Sequence, residues 1–320
     1  MVPDDELTVD DVLARWTDDP RCVHTQDRPA RPAQAGALNE PLPEQVAAYL
    51  PHPGLWSHQA EAVDLVRSGT SVVVATGTAS GKSLAYQLPT AELTAGGGTA
   101  LWLFPTKALA QDQLTTFTAW QVPWVTAGTY DGDCSVDERA FVRRHANVVL
   151  SNPDMLHHGI LPQHRRWESF LRRLELVVVD ELHILRGVFG THTAQVLRRL
   201  QRLVHHHGGS DLRFVMTSAT IGDPARLAQE LCGRPVAAVD RDGSPVGRRS
   251  VVLWDPVEAP VGTSTSAPAA AGRLAADLVQ AGLRTLVFCR SRRSTELVAN
   301  DLRAHLGPDH EDSVRSYRSG

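Results

Sequence analysis

Four cysteines occur in 320 residues, at Cys22, Cys134, Cys232 and Cys289, and no two form a Cys-x-x-Cys pair. That spacing argues against a structural zinc built from paired cysteines in this stretch, and it fits a reducing compartment. No apolar run approaches the roughly 20 residues that a membrane helix needs. The acidic start Met1-Val2-Pro3-Asp4-Asp5-Glu6 does not read as a secretory leader. The expectation is a soluble, cytoplasmic protein with no membrane partner. Positive charge is not in excess either: 32 Lys and Arg stand against 36 Asp and Glu, a formal net charge of −4. A generally basic nucleic-acid coat is excluded, and any grip on a polyanion must come from a local groove. No internal short-period repeat is found.

What is present is length for two domains and 42% hydrophobic residues, enough for sizeable cores. Apolar runs with strand character lie at 71–76, 99–105, 124–130, 146–151, 175–181, 212–218 and 235–240. Helical stretches lie between them, at 107–120, 135–145, 191–207 and 223–232. Alternation of this kind predicts an α/β fold with a parallel, doubly wound sheet.

The run Ser71-Val72-Val73-Val74 leads into Ala75-Thr76-Gly77-Thr78-Ala79-Ser80-Gly81-Lys82-Ser83 and then a helix opening at Leu84. Strand, small-residue loop with Gly-Lys-Ser, and helix together describe a phosphate-binding loop. Small residues let backbone N–H groups of Thr78, Ala79, Ser80 and Gly81 approach phosphates. Lys82 supplies charge to the β- and γ-phosphates, and the Ser83 hydroxyl is placed for Mg²⁺. The strict pattern wants glycine five positions before Gly81; Thr76 stands there. A small-residue turn with no ligand is the competing reading for the loop taken alone.

Two further strand ends narrow the choice. Leu176-Val177-Val178-Val179 delivers Asp180 and Glu181, followed by Leu182 and His183. In open α/β sheets ligands bind at that edge. An acidic pair there suits NTP hydrolysis, with Asp180 holding Mg²⁺ and Glu181 orienting or deprotonating water. Phe214-Val215-Met216-Thr217 likewise ends in Ser218-Ala219-Thr220. Three such strand ends in this order describe a nucleotide-hydrolysing core.

The set resembles superfamily-2 helicases, with Asp180-Glu181-Leu182-His183 as motif II and Ser218-Ala219-Thr220 as motif III. Leu55-Trp56-Ser57-His58-Gln59 resembles the adenine-reading glutamine motif. The likeness extends to Phe104-Pro105-Thr106-Lys107, Thr129-Tyr130-Asp131-Gly132-Asp133, Ser151-Asn152-Pro153-Asp154 and Arg186-Gly187-Val188-Phe189-Gly190. Across roughly residues 20 to 320 the chain looks like the RecQ-like DNA helicases of the mitomycin-repair (MrfA) type. The resemblance implies two RecA-like (P-loop NTPase) domains, ATP and Mg²⁺ as cofactors, and single-stranded or tailed duplex DNA as partner. It assigns coupling to His183, Ser218 and Thr220. It assigns nucleic-acid contact to Pro105, Thr106, Lys107, Gly132, Asn152, Pro153, Asp154 and Arg290.

Several of these residues have a plainer reading beside the functional one. Thr106 serves as a helix N-cap whether or not it meets a phosphate, and Asn152-Pro153-Asp154 can simply start a helix. An amide such as Gln59 can pair with both donor and acceptor edges of adenine, or sit on a helix surface. His183 can couple sites or be a packed histidine. Gln163-His164-Arg165-Arg166-Trp167 suits phosphate and base contact, yet more often is a solvated face with Trp167 anchored in the core. His205-His206-His207 closes a helix; consecutive helical histidines diverge, and the favourable helix C-terminus explains them without a metal.

Residues 1–45, rich in Pro, Asp and Arg, read as an extended N-terminal arm, and 46–255 as the first RecA-like domain. Residues 256–269 are the best linker, and 270–320 the start of a second RecA-like domain: helix 270–281, strand 284–290, helix 292–306. About 50 residues is short for such a domain, so the chain reads as truncated, before the segment that the resemblance implies would supply the arginine finger. The expected function is the ATP-dependent core of a DNA helicase or translocase in repair. Two alternatives stay open: an ATP-gated nucleic-acid-binding module without productive turnover, and an RNA helicase.

Overall fold

The computed structural model describes residues 7–48, 54–257, 266–307 and 313–317. Its elements begin with α1 (Val9–Thr17), β1 (Cys22–Arg28), β2 (Ala35–Gly36), α2 (Glu44–Ala47), β3 (Leu55–Trp56) and α3 (Ser57–Arg67). Then follow β4 (Ser71–Val74), α4 (Leu84–Ala95), β5 (Thr99–Leu103), α5 (Lys107–Thr118), β6 (Ala127–Thr129), α6 (Val136–His145) and β7 (Val148–Ser151). Next is α7 (Pro153–Met155), then two short helical turns over Leu156–Trp167, followed by α8 (Glu168–Arg172), β8 (Leu174–Val179), α9 (Gly187–His206), β9 (Arg213–Thr217) and α10 (Pro224–Cys232). The chain continues through β10 (Val236–Val239), β11 (Arg249–Trp254), α11 (Ala267–Gln280) and α12 (Arg292–Leu306). Among the described residues no helix is long and apolar enough to cross a membrane.

Two compact units emerge: residues 31–246, and residues 1–30 with 247–320. The larger holds a seven-stranded sheet in the order β10-β4-β9-β8-β5-β7-β6, every pair parallel. Both faces of its central strands are covered, which is why they read as unbroken apolar runs rather than alternating ones. Strand periodicity then sorts their residues into two cores. Val73, Leu101, Leu103, Val149, Val177, Phe214 and Met216 pack with Leu197 and Leu200 of α9 and Leu231 of α10. Val72, Val74, Trp102, Val148, Leu150, Val178 and Val215 pack with Val63 of α3, Leu88 of α4 and Phe117 of α5. Trp167 is 1% exposed and edge-on to Tyr130, so it anchors the core.

All seven expected strands form, each shorter than its apolar run. Helix α9 starts at Gly187 rather than near 191. Gly190 is there for close approach: a Cβ would fall 2.4 Å from the Leu185 carbonyl oxygen. Helix α3 opens at Ser57, and its cap is Trp56, whose N–H donates to Gln59 Oε1 at 2.8 Å.

In the smaller unit the N-terminal stretch is not an extended arm. Thr8 caps α1 through a reciprocal bond with Asp11, and β1 pairs antiparallel with β11 from Cys22–Trp254 to Arg28–Arg249. That pairing joins segments over 200 positions apart, which local propensity cannot reveal. Residues 31–45 fall in the larger unit, where Arg31 bridges Val246 and β2 pairs with β3. Helices α11 and α12 pack through Ala275, Ala276, Leu302 and Leu306. The expected strand 284–290 has no ladder partner among the described residues, and Leu286 and Phe288 are exposed. Without inter-strand hydrogen bonds, an extended segment is not a strand. Of the expected linker 256–269, residues 258–265 lie outside the described residues.

Candidate nucleotide site and the adjoining sheet edge

A parallel sheet collects all its strand ends on one edge, and the strand order decides which loops become neighbours. Here the loops after β4, β9 and β8 stand side by side, followed by those after β5, β7 and β6. The first three are the phosphate loop, Ser218-Ala219-Thr220 and Asp180-Glu181. The second three hold Pro105-Thr106-Lys107, Asn152-Pro153-Asp154 and Gly132. One edge thus carries two contiguous zones.

The phosphate loop is locked from inside. Thr76 is 1% exposed and its Oγ1 lies 2.6 Å from Ser80 Oγ, so a side-chain bond does the turn-closing that glycine usually allows. Ala79 and Gly81 adopt left-handed φ of 60° and 74°. A Cβ on Gly81 would sit 2.6 Å from Gln59 Nε2. Gln59 is buried; its Nε2 donates to the Gly81 carbonyl at 2.9 Å while Oε1 accepts from Trp56 N–H. Both ends of the amide are engaged by protein, so in this structure Gln59 braces the loop. His58 is fully buried behind it. Its Nδ1 accepts from Gly243 N–H at 3.2 Å, which leaves the proton on Nε2 to donate to the Ser80 carbonyl at 3.0 Å. Burial holds this imidazole below the usual histidine range.

Lys82 Nζ donates to the carbonyls of Gly77 at 2.7 Å and Thr76 at 3.1 Å. Burial lowers its pKa, with Glu181, Asp180 and Asp242 pulling the other way. Across the edge, burial pushes the Asp180 carboxyl above the ordinary range, opposed by a hydrogen bond from Thr217 Oγ1 and by Lys82 and His183. Glu181 is held at φ 55°, ψ 44°, a left-handed conformation rare for a non-glycine residue and characteristic of functional sites. Its Oε2 lies 3.1 Å from His183 Nδ1, and the same nitrogen is 3.4 Å from the Ala219 N–H. Ser218 is fully buried, and its Oγ has no hydrogen-bond partner among the described residues.

The model of the DEAD/DEAH box helicase family matches residues 56–227, more than half the chain. The chain belongs to the DEAD/DEAH box helicase family. The uncharacterized ATP-dependent helicase YprA of Bacillus subtilis is 40% identical over 301 residues, covering 91% of this chain and 40% of that protein. The crystal structure of the DUF1998 helicase MrfA bound to DNA and AMPPNP superposes with a TM-score of 0.88 at 37% identity, over 93% of this chain and 43% of that one. The helicase Lhr of Mycobacterium smegmatis, bound to ssDNA and AMP-PNP, gives 0.61 at 25% identity over 85% of this chain and 36% of that one. The chain therefore spans less than half the length of these relatives, and its sheet is the RecA-like helicase sheet.

In this member of the family the loops after β5, β7 and β6 show the plainer chemistry as well. Thr106 Oγ1 accepts from Leu109 N–H at 3.3 Å, capping α5, and Asn152 Oδ1 accepts from Met155 N–H at 2.8 Å, capping α7. Lys107 Nζ pairs with Asp133 at 2.6 Å beside Gly132, which raises its pKa. Pro153 is buried and Asp154 exposed. Arg290 lies in the smaller unit and is exposed.

Two residues at this sheet edge escape sequence reasoning. Thr217, one position before the expected coupling triplet, is the residue that bonds Asp180. Asp242 stands beyond β10, with its carboxylate 3.1 Å from where a Gly77 Cβ would be and 3.9 Å from His58 Nδ1. Only the position of β10 beside β4 brings it there.

Proposed function

We propose that this chain provides the ATP-hydrolysing sheet of a helicase that moves on DNA, with repair as its setting. One observation carries the reading: on a single sheet edge His183 Nδ1 stands between Glu181 and the Ala219 N–H, the junction of the hydrolytic and coupling loops. In this reading Lys82 exchanges the Gly77 and Thr76 carbonyls for β- and γ-phosphate oxygens. Backbone N–H groups of Thr78 through Gly81 and the α4 N-terminus take the remaining phosphate charge. Asp180 is a half-buried carboxylate at the strand end facing the phosphate loop, and its oxygen donors suit a hard divalent ion. When bound, Mg²⁺ would be held by Ser83 and Asp180 and would neutralise charge on the transferred phosphoryl group. Glu181 orients the attacking water and takes its proton. As the γ-phosphate departs, His183 Nδ1 exchanges between donating to Glu181 and accepting from the Ala219 N–H, and so couples Glu181 to Ser218 and Thr220. DNA, the ligand of the MrfA structure, lies along the loops of Pro105, Thr106, Lys107, Gly132, Asn152, Pro153 and Asp154.

Anisotropy of labelled single-stranded DNA across a salt series tests this. Each lost phosphate contact flattens the salt slope by about 0.7, so Lys107→Ala should weaken binding alike across sequences and flatten the slope by that much. Asp133→Asn, which releases Lys107 from its pair, should tighten binding. If neither variant moves the slope, or matched RNA binds in preference, the DNA reading falls.

A further inference from the structure

Far from the nucleotide edge, three histidines from two segments converge. His164 belongs to the helical turn Leu161–Trp167, His206 is the last residue of α9, and His207 caps that helix. Helix α9 leaves β8 at the nucleotide edge and has 20 residues, so its end lies about 30 Å away along its axis. That places the histidines on the opposite sheet edge, and ATP and DNA chemistry has no use for them there.

Each histidine offers one ring nitrogen, and the three nitrogens lie within 4.8 Å of one another. The ring centroids are 5.1 Å (His164–His207), 5.1 Å (His206–His207) and 5.9 Å (His164–His206) apart. Tetrahedral zinc with Zn–N near 2.0–2.1 Å holds imidazole centroids about 5 Å apart and their nitrogens about 3.4 Å apart. His164 Nδ1 and His207 Nε2 are already 2.9 Å apart. A shift of a few tenths of an ångström would open that pair around an ion. We propose that His164, His206 and His207 form a binding site for a divalent transition-metal ion of the zinc class.

Adjacent histidines can share an ion here because α9 ends between them. His207 sits at φ −89°, ψ 7°, outside the helical repeat that would drive its ring away from its neighbour's. Neutral imidazoles present lone pairs, the form a metal takes. Arg165 and Arg166, next to His164 in the chain, are cations that disfavour a second positive charge beside the site. Three protein ligands leave one position for water. Because the ligands come from segments 43 residues apart, the ion would clip the turn before α8 to the end of α9 and stabilise the native state by mass action.

Tag-free protein stripped with EDTA and titrated with Zn²⁺ tests this by calorimetry, metal analysis after dialysis, and thermal unfolding with and without metal. One Zn²⁺ per chain and a rise in Tm are expected. His206→Asn, which spares the His164–His207 bond, and His164→Asn should each weaken binding at least tenfold and abolish the Tm rise. His192→Asn, in the separate cluster with His157, and Cys134→Ser should leave both unchanged. ATP affinity should be the same with and without Zn²⁺. Zinc retained equally by the His164/His206/His207→Asn triple variant, or no zinc bound by the parent protein, overturns the site.

Discussion

Replacing Gly81 with alanine separates two physical demands that the phosphate loop makes at one position. Gly81 lies at φ 74°, where an L-residue costs about 1–2 kcal/mol. The new Cβ would sit 2.6 Å from Gln59 Nε2, so Gln59 must move. Its displacement breaks two bonds, one to the Gly81 carbonyl and one from Trp56 N–H, at about 1 kcal/mol each. The total, about 3–4 kcal/mol, falls on the loop conformation that receives phosphates, and about 3 kcal/mol corresponds to roughly 10²-fold in ATP affinity. Gly69→Ala is the control: φ 86° and nothing within 4 Å of its Cβ. It carries the strain alone, so urea unfolding should register about 1–2 kcal/mol while ATP affinity stays unchanged. In a Gln59→Ala background the clash is gone, and Gly81→Ala should cost only the strain, a non-additivity of about 2 kcal/mol in the cycle. Calorimetric titration of ATP into the four proteins of the cycle is the assay. Wild-type affinity in Gly81→Ala, or strictly additive losses, would refute the reasoning.

Glu181→Gln should keep ATP binding within about threefold, since Asp180 and Lys82 remain, and should slow phosphate release in the presence of single-stranded DNA at least ~10²-fold, the scale of a lost general base. Normal release by that variant would remove Glu181 from the chemistry. Stability should also depend on pH through His58. Its folded pKa is lowered by burial, so below about pH 6.5 the unfolded chain takes a proton that the folded one refuses. This stabilisation is complete above that pH and declines as pH falls toward the folded pKa, by up to about 1.4 kcal/mol per unit. His58→Gln should flatten the dependence measured by urea unfolding between pH 7.5 and 5.5; an unchanged slope would contradict the assignment.

How much was legible in the sequence follows from how local each signal is. The seven strands and the phosphate loop are written in contiguous residues, and the sheet order simply set their ends side by side. Features made by distant segments left no local mark. Strand β1 exists only through β11, and Asp242 reaches the loop only because β10 lies beside β4. Conversely, 284–290 has strand composition but no neighbour among the described residues to make it one. Gln59 was read as a ligand group, and its first duty is mechanical, because a buried amide must satisfy its own hydrogen bonds before any other. The histidine run was discounted on helical periodicity, which stops applying one residue too early, at the end of α9. Thr106 and Asn152 do cap their helices. A cap of this kind does not decide for or against DNA, since it fixes the loop whose backbone would meet a phosphate.

The central claim is that Ala75–Ser83 binds the phosphates of ATP, and Lys82→Ala tests it most directly. Its ammonium now rests on two loop carbonyls, so the substitution removes a phosphate-facing charge without opening a core. A charge-assisted bond of about 1.5–3 kcal/mol corresponds to roughly 10- to 150-fold in affinity. Titration of Mg²⁺-ATP into both proteins, with unfolding curves to confirm that each is folded, should show one ATP per chain and a weakening of that size. Equal affinity in two folded proteins would contradict the account.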